Sequence, residues 1–254
     1  MNEFEGRASM GIKKKQLWRI IVFAVIVLGV GVCWGYVSDY YHADEMAMAA
    51  MNSEADILVE QNGKTTAFVP PETDTGLIFY PGGKVEAIAY APLMKQFADE
   101  GILCVLAEMP MNLAVLDMNA ADGIPEQYPQ IERWFLGGHS LGGSMAASYV
   151  EKNAAAYEGL VLLAAYSTAD LTGTDLSVIS VYGSEDSVLN MEKYIEYSRN
   201  LPAGLEEHII EGGCHAGFGS YGPQAGDGIP SITGEEQIAQ TTSLLVDFMA
   251  AHQN

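Results

Sequence analysis

The chain has 254 residues, 49% of them hydrophobic, with 33 Asp and Glu against 12 Lys and Arg and a formal net charge of −21 at pH 7. That apolar content excludes a disordered chain, and the acidic balance excludes the electrostatic attraction on which nucleic-acid binding depends. Three scattered cysteines, Cys33, Cys104 and Cys214, exclude a disulfide scaffold, so packing must hold the fold.

In chain order, the first feature is a basic terminus. Five of the twelve Lys and Arg fall within residues 1–19, against Glu3 and Glu5 alone. Residues 20–37 then form an 18-residue run without a charge. As a helix it would be roughly 27 Å long, close to the thickness of a bilayer core. Lys13, Lys14, Lys15 and Arg19 precede it, and Asp39, Asp44 and Glu45 follow. This asymmetry predicts a cytoplasmic segment over 1–19, a single transmembrane anchor over 20–37, and everything later outside the cell membrane. Trp18, Trp34 and Tyr36 stand where interfacial aromatics belong. A cleaved signal peptide is the competing reading, but its nearest small-residue cleavage site, Ala47-Met48-Ala49, lies far downstream of the apolar run.

Residues 38–56 are acidic and rich in Met and Ala, which predicts a helical stalk. Two β-forming runs flank Asn62-Gly63 and predict a hairpin that Pro70-Pro71 ends. Thereafter apolar strand-like runs at 77–80, 102–107, 134–137, 160–165, 178–182 and 207–211 alternate with helical patterns at 87–100, 113–121, 141–153, 191–199 and 235–251. Such alternation predicts one α/β domain over 57–254, with a mainly parallel central sheet and helices on both faces.

The strand-to-helix junctions carry the chemistry. The run ending at Gly137 leads into Gly138-His139-Ser140-Leu141-Gly142-Gly143. Gly-x-Ser-x-Gly between a strand and a helix is the pattern of a nucleophile elbow, whose serine is exposed at the top of a sheet. The alternative role for Ser140 is that of a helix cap. A serine nucleophile needs a base, and the base needs a carboxylate to fix its tautomer. The strand at 178–182 runs into Gly183-Ser184-Glu185-Asp186, which offers Asp186, with Glu185 as its competitor. The strand at 207–211 runs into Gly212-Gly213-Cys214-His215, which offers His215. Ser140, Asp186 and His215 thus follow the chain order Ser, acid, His.

An oxyanion hole needs two backbone N–H groups. One belongs to Leu141, the residue after the nucleophile, and the other to the loop Pro81-Gly82-Gly83-Lys84, with Gly83 favoured over Lys84. Cys214 is a loop residue more readily than a catalytic thiol. Met109, Met111, Leu113 and Met118 are candidates for an acyl pocket, with ordinary core packing the commoner role for such residues. About ten residues separate the strands at 160–165 and 178–182, too few for a large lid. The loop 217–229 has five glycines and Asp227 but no mechanism of its own. No metal-ligand spacing and no dinucleotide loop occur, so neither a metal nor a cofactor is expected.

Pro81-Gly82-Gly83, Gly138-His139-Ser140-Leu141-Gly142-Gly143, Gly183-Ser184-Glu185-Asp186 and Gly213-Cys214-His215 together resemble an α/β-hydrolase over residues 57–249. Within that superfamily the chain is similar to the small, compact hydrolases grouped near dienelactone hydrolase. It differs from dienelactone hydrolase in having Ser140, and not a cysteine, at the nucleophile position, so that substrate is not carried over. The resemblance implies the α/β-hydrolase fold and a serine hydrolase of the carboxylesterase type (EC 3.1.1), acting on a small acyl substrate through an acyl-enzyme. Two other classes share the same residues: an acyltransferase with a non-water acceptor, and a non-catalytic binding protein on the hydrolase scaffold.

Overall fold

The computed structural model describes residues 2–53 and 56–252. Residues 1, 54, 55, 253 and 254, which the expected basic terminus, stalk and α/β domain include, lie outside the described residues. The chain divides into two units, Met1–Asp39 and Tyr40–Asn254.

The first unit is one helix, α1 (Asn2–Ser38). Its portion Lys14–Ser38 is long and apolar enough to cross a membrane, by length and composition.

The second unit is built on an eight-stranded sheet in the order β1-β2-β4-β3-β5-β6-β7-β8. The strands are β1 (Leu58–Asn62), β2 (Thr65–Val69), β3 (Thr75–Tyr80), β4 (Leu103–Ala107), β5 (Arg133–His139), β6 (Gly159–Leu163), β7 (Ser177–Gly183) and β8 (Glu206–Ile210). The β1–β2 hairpin is antiparallel, β2 pairs antiparallel with β4, and every pairing from β4 through β8 is parallel. Parallel pairs need crossovers. Helices α3 (Ala91–Asp99), α4 (Leu141–Asn153) and α5 (Met191–Tyr197) lie in those that follow β3, β5 and β7, and α6 (Gly234–Ala251) follows β8.

The near-continuous apolar strands reflect burial on both faces. Leu77, Phe79, Cys104, Leu106, Phe135, Val161 and Ile179 face one layer, which α3 and α6 cover with Leu93, Phe97, Leu245 and Phe248. The alternate positions Ile78, Tyr80, Val105, Leu136, Leu160 and Val178 face the other, which α4 covers with Ala146, Ala147 and Val150. Parallel strands with both faces covered bring every β-to-α junction to one sheet edge, where open α/β sheets build their sites.

Two expectations are corrected. Residues 38–56 do not form a detached stalk, because from Tyr40 onward they belong to the second unit. A short helix, α2 (Glu45–Ala50), is capped by Asp44, whose Oδ1 accepts the Ala47 amide at 3.0 Å. Tyr41 and Val85 form a parallel bridge, and Ala47 is wholly buried. The helical pattern at 113–121 is reduced to the 3-10 turn Ala114–Leu116, flanked by non-helical backbone at Leu113 (φ −130°, ψ 105°) and Asp117 (φ −149°, ψ 63°). Just before it, Met111 and Asn112 at φ 54° and 55° adopt left-handed backbone.

Docking of α2 predicts that Ala47→Asp, which buries an unpaired carboxylate, lowers stability by on the order of 3 kcal/mol. Urea unfolding followed by fluorescence measures it. An unchanged midpoint would restore the detached stalk.

Candidate active site

Ser140 follows β5 directly and sits at the N-cap of α4 with φ 51° and ψ −121°. A non-glycine residue there costs about 1–3 kcal/mol and persists only when its surroundings impose it. Two backbone bonds do so: the Ser140 amide donates to Leu163 O at 2.8 Å, and Ser140 O accepts from the Ser144 amide at 3.1 Å. Glycines make the turn sterically possible. A Cβ on Gly142 would strike the carbonyls of Tyr80 and Pro81, and one on Gly138 would come within 2.6 Å of Gly142. The Ser140 hydroxyl makes no capping bond, so it is not serving α4 as a cap.

Asp186 stands beyond the end of β7 and His215 beyond the end of β8. His215 Nδ1 and Asp186 Oδ2 are 2.8 Å apart, with side-chain exposures of only 2% and 1%. A carboxylate can only accept, so Nδ1 carries the proton and Nε2 presents its lone pair. The other carboxylate oxygen accepts the amides of Val188 and Leu189 at 2.9 and 2.8 Å. His215 Nε2 is buried and has no hydrogen-bond partner among the described residues. The neighbouring Glu185 side chain is exposed and, among the described residues, accepts a hydrogen bond only from Ser184 Oγ, at 3.3 Å. His208 and His252 approach Glu206, and His42 approaches Glu86, away from this group.

Ser140, Leu141 and His215 line one cavity of about 240 Å³, together with Ala164, Tyr166 and Leu189. None of the candidate acyl-pocket residues Met109, Met111, Leu113 or Met118 lines it. Met109 is core, and Met111 is exposed by its left-handed turn. The walls come instead from 164–166 and 188–190, the loops after β6 and β7.

The oxyanion candidates also meet. A Cβ on Gly83 would lie 2.9 Å from the Leu141 side chain. In the loop after β3 the Gly82 amide donates to Tyr90 Oη at 3.0 Å, and the Lys84 amide to Asn112 O at 2.7 Å. Lys84, the runner-up, is therefore engaged. Among the described residues no hydrogen bond occupies the Gly83 amide, and Leu141 is the first helical amide, which has no intrahelical partner.

The sequence profile described as the alpha/beta hydrolase family matches residues 76–239. The chain belongs to that family. No curated protein matches the sequence of this hydrolase. Among solved structures, carboxylesterase CesB (YbfK) from Bacillus subtilis is similar at 11% identity and TM-score 0.58, over 82% of the hydrolase and 95% of CesB. Naproxen esterase (carboxylesterase NP) from Bacillus subtilis is similar at 11% identity and TM-score 0.57, over 80% and 94% of the two chains. Est1E from Butyrivibrio proteoclasticus is similar at 12% identity and TM-score 0.55, over 78% and 99%. Identities this low express a shared fold.

Sequence reasoning missed three residues of the hydrolase that hold the candidate site in place. The Asp227 carboxylate accepts the amides of Ala216 and Gly228 at 2.8 Å, His215 at 3.2 Å and Ser187 at 3.3 Å. Burial pushes its pKa up, but these amides outweigh burial and hold it below the ordinary value. Gln237, buried in α6, brackets Cys214 by accepting its amide at 3.0 Å and donating to its carbonyl at 2.8 Å. Asp227 had a faint signal as an acid inside a glycine-rich loop; Gln237 had none. Burial, then the Asp227 charge, pushes the Cys214 thiol up to about 11, so it is no thiolate at neutral pH.

The third is Tyr90. Its hydroxyl accepts from Gly82 and so has its own proton left for His139 Nδ1, 2.7 Å away. His139 packs against His215 with ring centroids 4.5 Å apart and the rings tilted by 51°. Burial first, then the nearby His215, holds the His139 pKa well below its ordinary 6.5. Folded, the ring stays neutral; unfolded, it binds a proton as pH falls through 6.5. Unfolding then takes up a proton, so stability is lost below that pH, by at most about 1.4 kcal/mol per unit from this residue. His139→Gln, whose amide oxygen can still accept from Tyr90, should shallow the acid slope of urea-unfolding free energy by about one proton. Parallel slopes in the two proteins would show that His139 titrates normally.

Proposed function

We propose that this alpha/beta hydrolase is a membrane-anchored, extracytoplasmic serine hydrolase that cleaves carboxylic esters of small acyl groups. One observation carries the reading: a strained, uncapped Ser140 shares a cavity with His215, whose Nδ1 is tied to Asp186 and whose Nε2 is unpartnered. Ser140 Oγ attacks the ester carbonyl as His215 Nε2 takes its proton, and Asp186 stabilises the imidazolium that forms. The carbonyl oxygen gains negative charge between the amides of Gly83 and Leu141, a pair in which each donor is typically worth roughly 3–4 kcal/mol of barrier. The proton then passes from His215 to the departing alkoxide, which leaves as the alcohol. Water, deprotonated by the same nitrogen, releases the acid and regenerates Ser140.

The 240 Å³ cavity is below the roughly 300–1,000 Å³ of sites that enclose drug-sized molecules, which supports short acyl groups. No helix intervenes between β6 and β7, which supports a place among the small, compact members near dienelactone hydrolase. The anchor rests on α1 and its flanking charges: Lys13, Lys14, Lys15 and Arg19 on one side, Asp39, Asp44 and Glu45 on the other.

An organophosphonate probe should label the full-length protein at Ser140, and Ser140→Ala should abolish both labelling and hydrolysis of short-chain esters. Asp186→Asn should lower kcat by about 10⁴-fold through the lost tautomer, while Glu185→Gln changes little. The reverse ranking would move the acid by one residue, and labelling at Cys214 would reject the nucleophile.

For topology, protease added outside intact cells should cut the chain beyond Ser38, and a high-salt wash should leave it on membranes. A soluble mature chain beginning near Ala49 would instead mean a cleaved signal.

A further inference from the structure

The hydroxyl of Tyr90 stands where two halves of the candidate site meet. Tyr90 is wholly buried at the start of α3, with its ring centroid 5.3 Å from that of Phe79 and 6.4 Å from that of Tyr221. Burial raises its pKa against the pull of the Gly82 amide, so the phenol keeps its proton. On one side that amide donates to Oη at 3.0 Å, and on the other Oη lies 2.7 Å from His139 Nδ1. A Cβ on Gly82 would come within 2.7 Å of Oη and 2.8 Å of Nδ1, so the chain one residue before Gly83 is pressed onto this pair. His139 in turn packs against His215. On the serine-hydrolase reading, we propose that Tyr90 is a positioning residue, whose hydroxyl ties the oxyanion loop to the ring that braces the base.

Counting protons gives the arrangement its direction. A phenol oxygen offers one proton and accepts through its lone pairs. Oη accepts the Gly82 N–H, and its proton goes to His139 Nδ1. Were Nδ1 the donor, the phenol proton would be left buried without a partner among the described residues. The His139 proton therefore sits on Nε2. No vacant lone pair remains on the ring beside His215, so His139 cannot compete for the proton of Ser140. His215 Nε2, which has no partner among the described residues, is the nitrogen that takes it.

Both effects bear on charge that appears only in the transition state, at the oxyanion beside Gly83 and at the His215 imidazolium. Substrate binding uses neither, so Tyr90 should act on kcat and not on KM.

The test uses the full-length protein in lipid nanodiscs with p-nitrophenyl butyrate, and kcat is expressed per Ser140 titrated by an organophosphonate, so that unfolded molecules are not counted. Tyr90→Phe should lower kcat roughly 10- to 100-fold, short of the roughly 10²–10³-fold cost of losing an oxyanion donor outright, and leave KM within about twofold. His139→Leu, which offers Tyr90 no acceptor, should lose as much, while His139→Gln, which offers an amide oxygen, should lose less. The double variant Tyr90→Phe/His139→Leu should fall no further than the worse single one, because both changes remove the same bond. An undiminished kcat in Tyr90→Phe, a loss that appears in KM, or losses that multiply in the double variant would overturn the role. Equal losses in His139→Leu and His139→Gln would overturn it too, and this comparison decides alone if Tyr90→Phe leaves no titratable site. If the unsubstituted protein neither reacts with the phosphonate nor cleaves the ester, the serine-hydrolase reading itself falls, and the role of Tyr90 with it.

Discussion

The molecule turns on one steric constraint, the left-handed backbone at Ser140. Strand β5 can reverse into α4 there only because Gly138 and Gly142 present no side chain to the Tyr80–Pro81 backbone. The same close approach fixes the end of β3 against the start of α4. Gly83 thereby lies on Leu141, and Gly82 lies on the Tyr90–His139 pair. The proposed nucleophile and the proposed oxyanion donors are therefore two sides of one contact between backbones, and a displacement of either displaces both.

The acid and the base are joined by a different device. The turn after β7 and the loop after β8 are laced by backbone bonds, Ser184 N to Ile210 O at 3.0 Å and Glu185 N to Gly213 O at 2.8 Å. Gly212 N adds a bond to Ser184 Oγ at 2.8 Å. Asp186 and Asp227 are held almost wholly by amide N–H groups, with His215 as the one imidazole partner. In a chain with 33 acidic and 12 basic side chains, backbone dipoles do what arginine does elsewhere. They are also uncharged, so the loops do not depend on screening by salt as exposed ion pairs do.

What the sequence displayed and what it hid follow from the range of each interaction. Strands buried on both faces write continuous apolar runs, so β3 to β7 and the alternation with helices were legible. Ser140, Asp186 and His215 were legible because each follows a strand end in a fixed order, and the structure brings all three around one cavity wall or one hydrogen bond of it. Gly83 was favoured over Lys84 by residue type, and the bond from the Lys84 amide to Asn112 supports that order. Apart from the Asp227–Gly228 bond, Asp227 and Gln237 act through contacts 11 to 40 residues away in sequence, on backbone atoms that carry no residue identity, and no local pattern marks that. The 38–56 segment misled for a related reason. Its composition predicts a helical stalk, whereas Asp44 caps a short helix whose single fully buried residue is the small Ala47.

That segment has a mechanical consequence. Tyr41 is fastened to the loop after β3 by two bonds, its amide to Lys84 O at 2.7 Å and its carbonyl to the Glu86 amide at 2.9 Å. Tension drawn along the backbone from residue 38 would reach these bonds before any strand of the sheet. They flank Val85, two residues from Gly83. The first place to yield under a pull on the N-terminal side of the domain is therefore the edge of the proposed oxyanion loop, and such a load would be felt there while the sheet still held its shape.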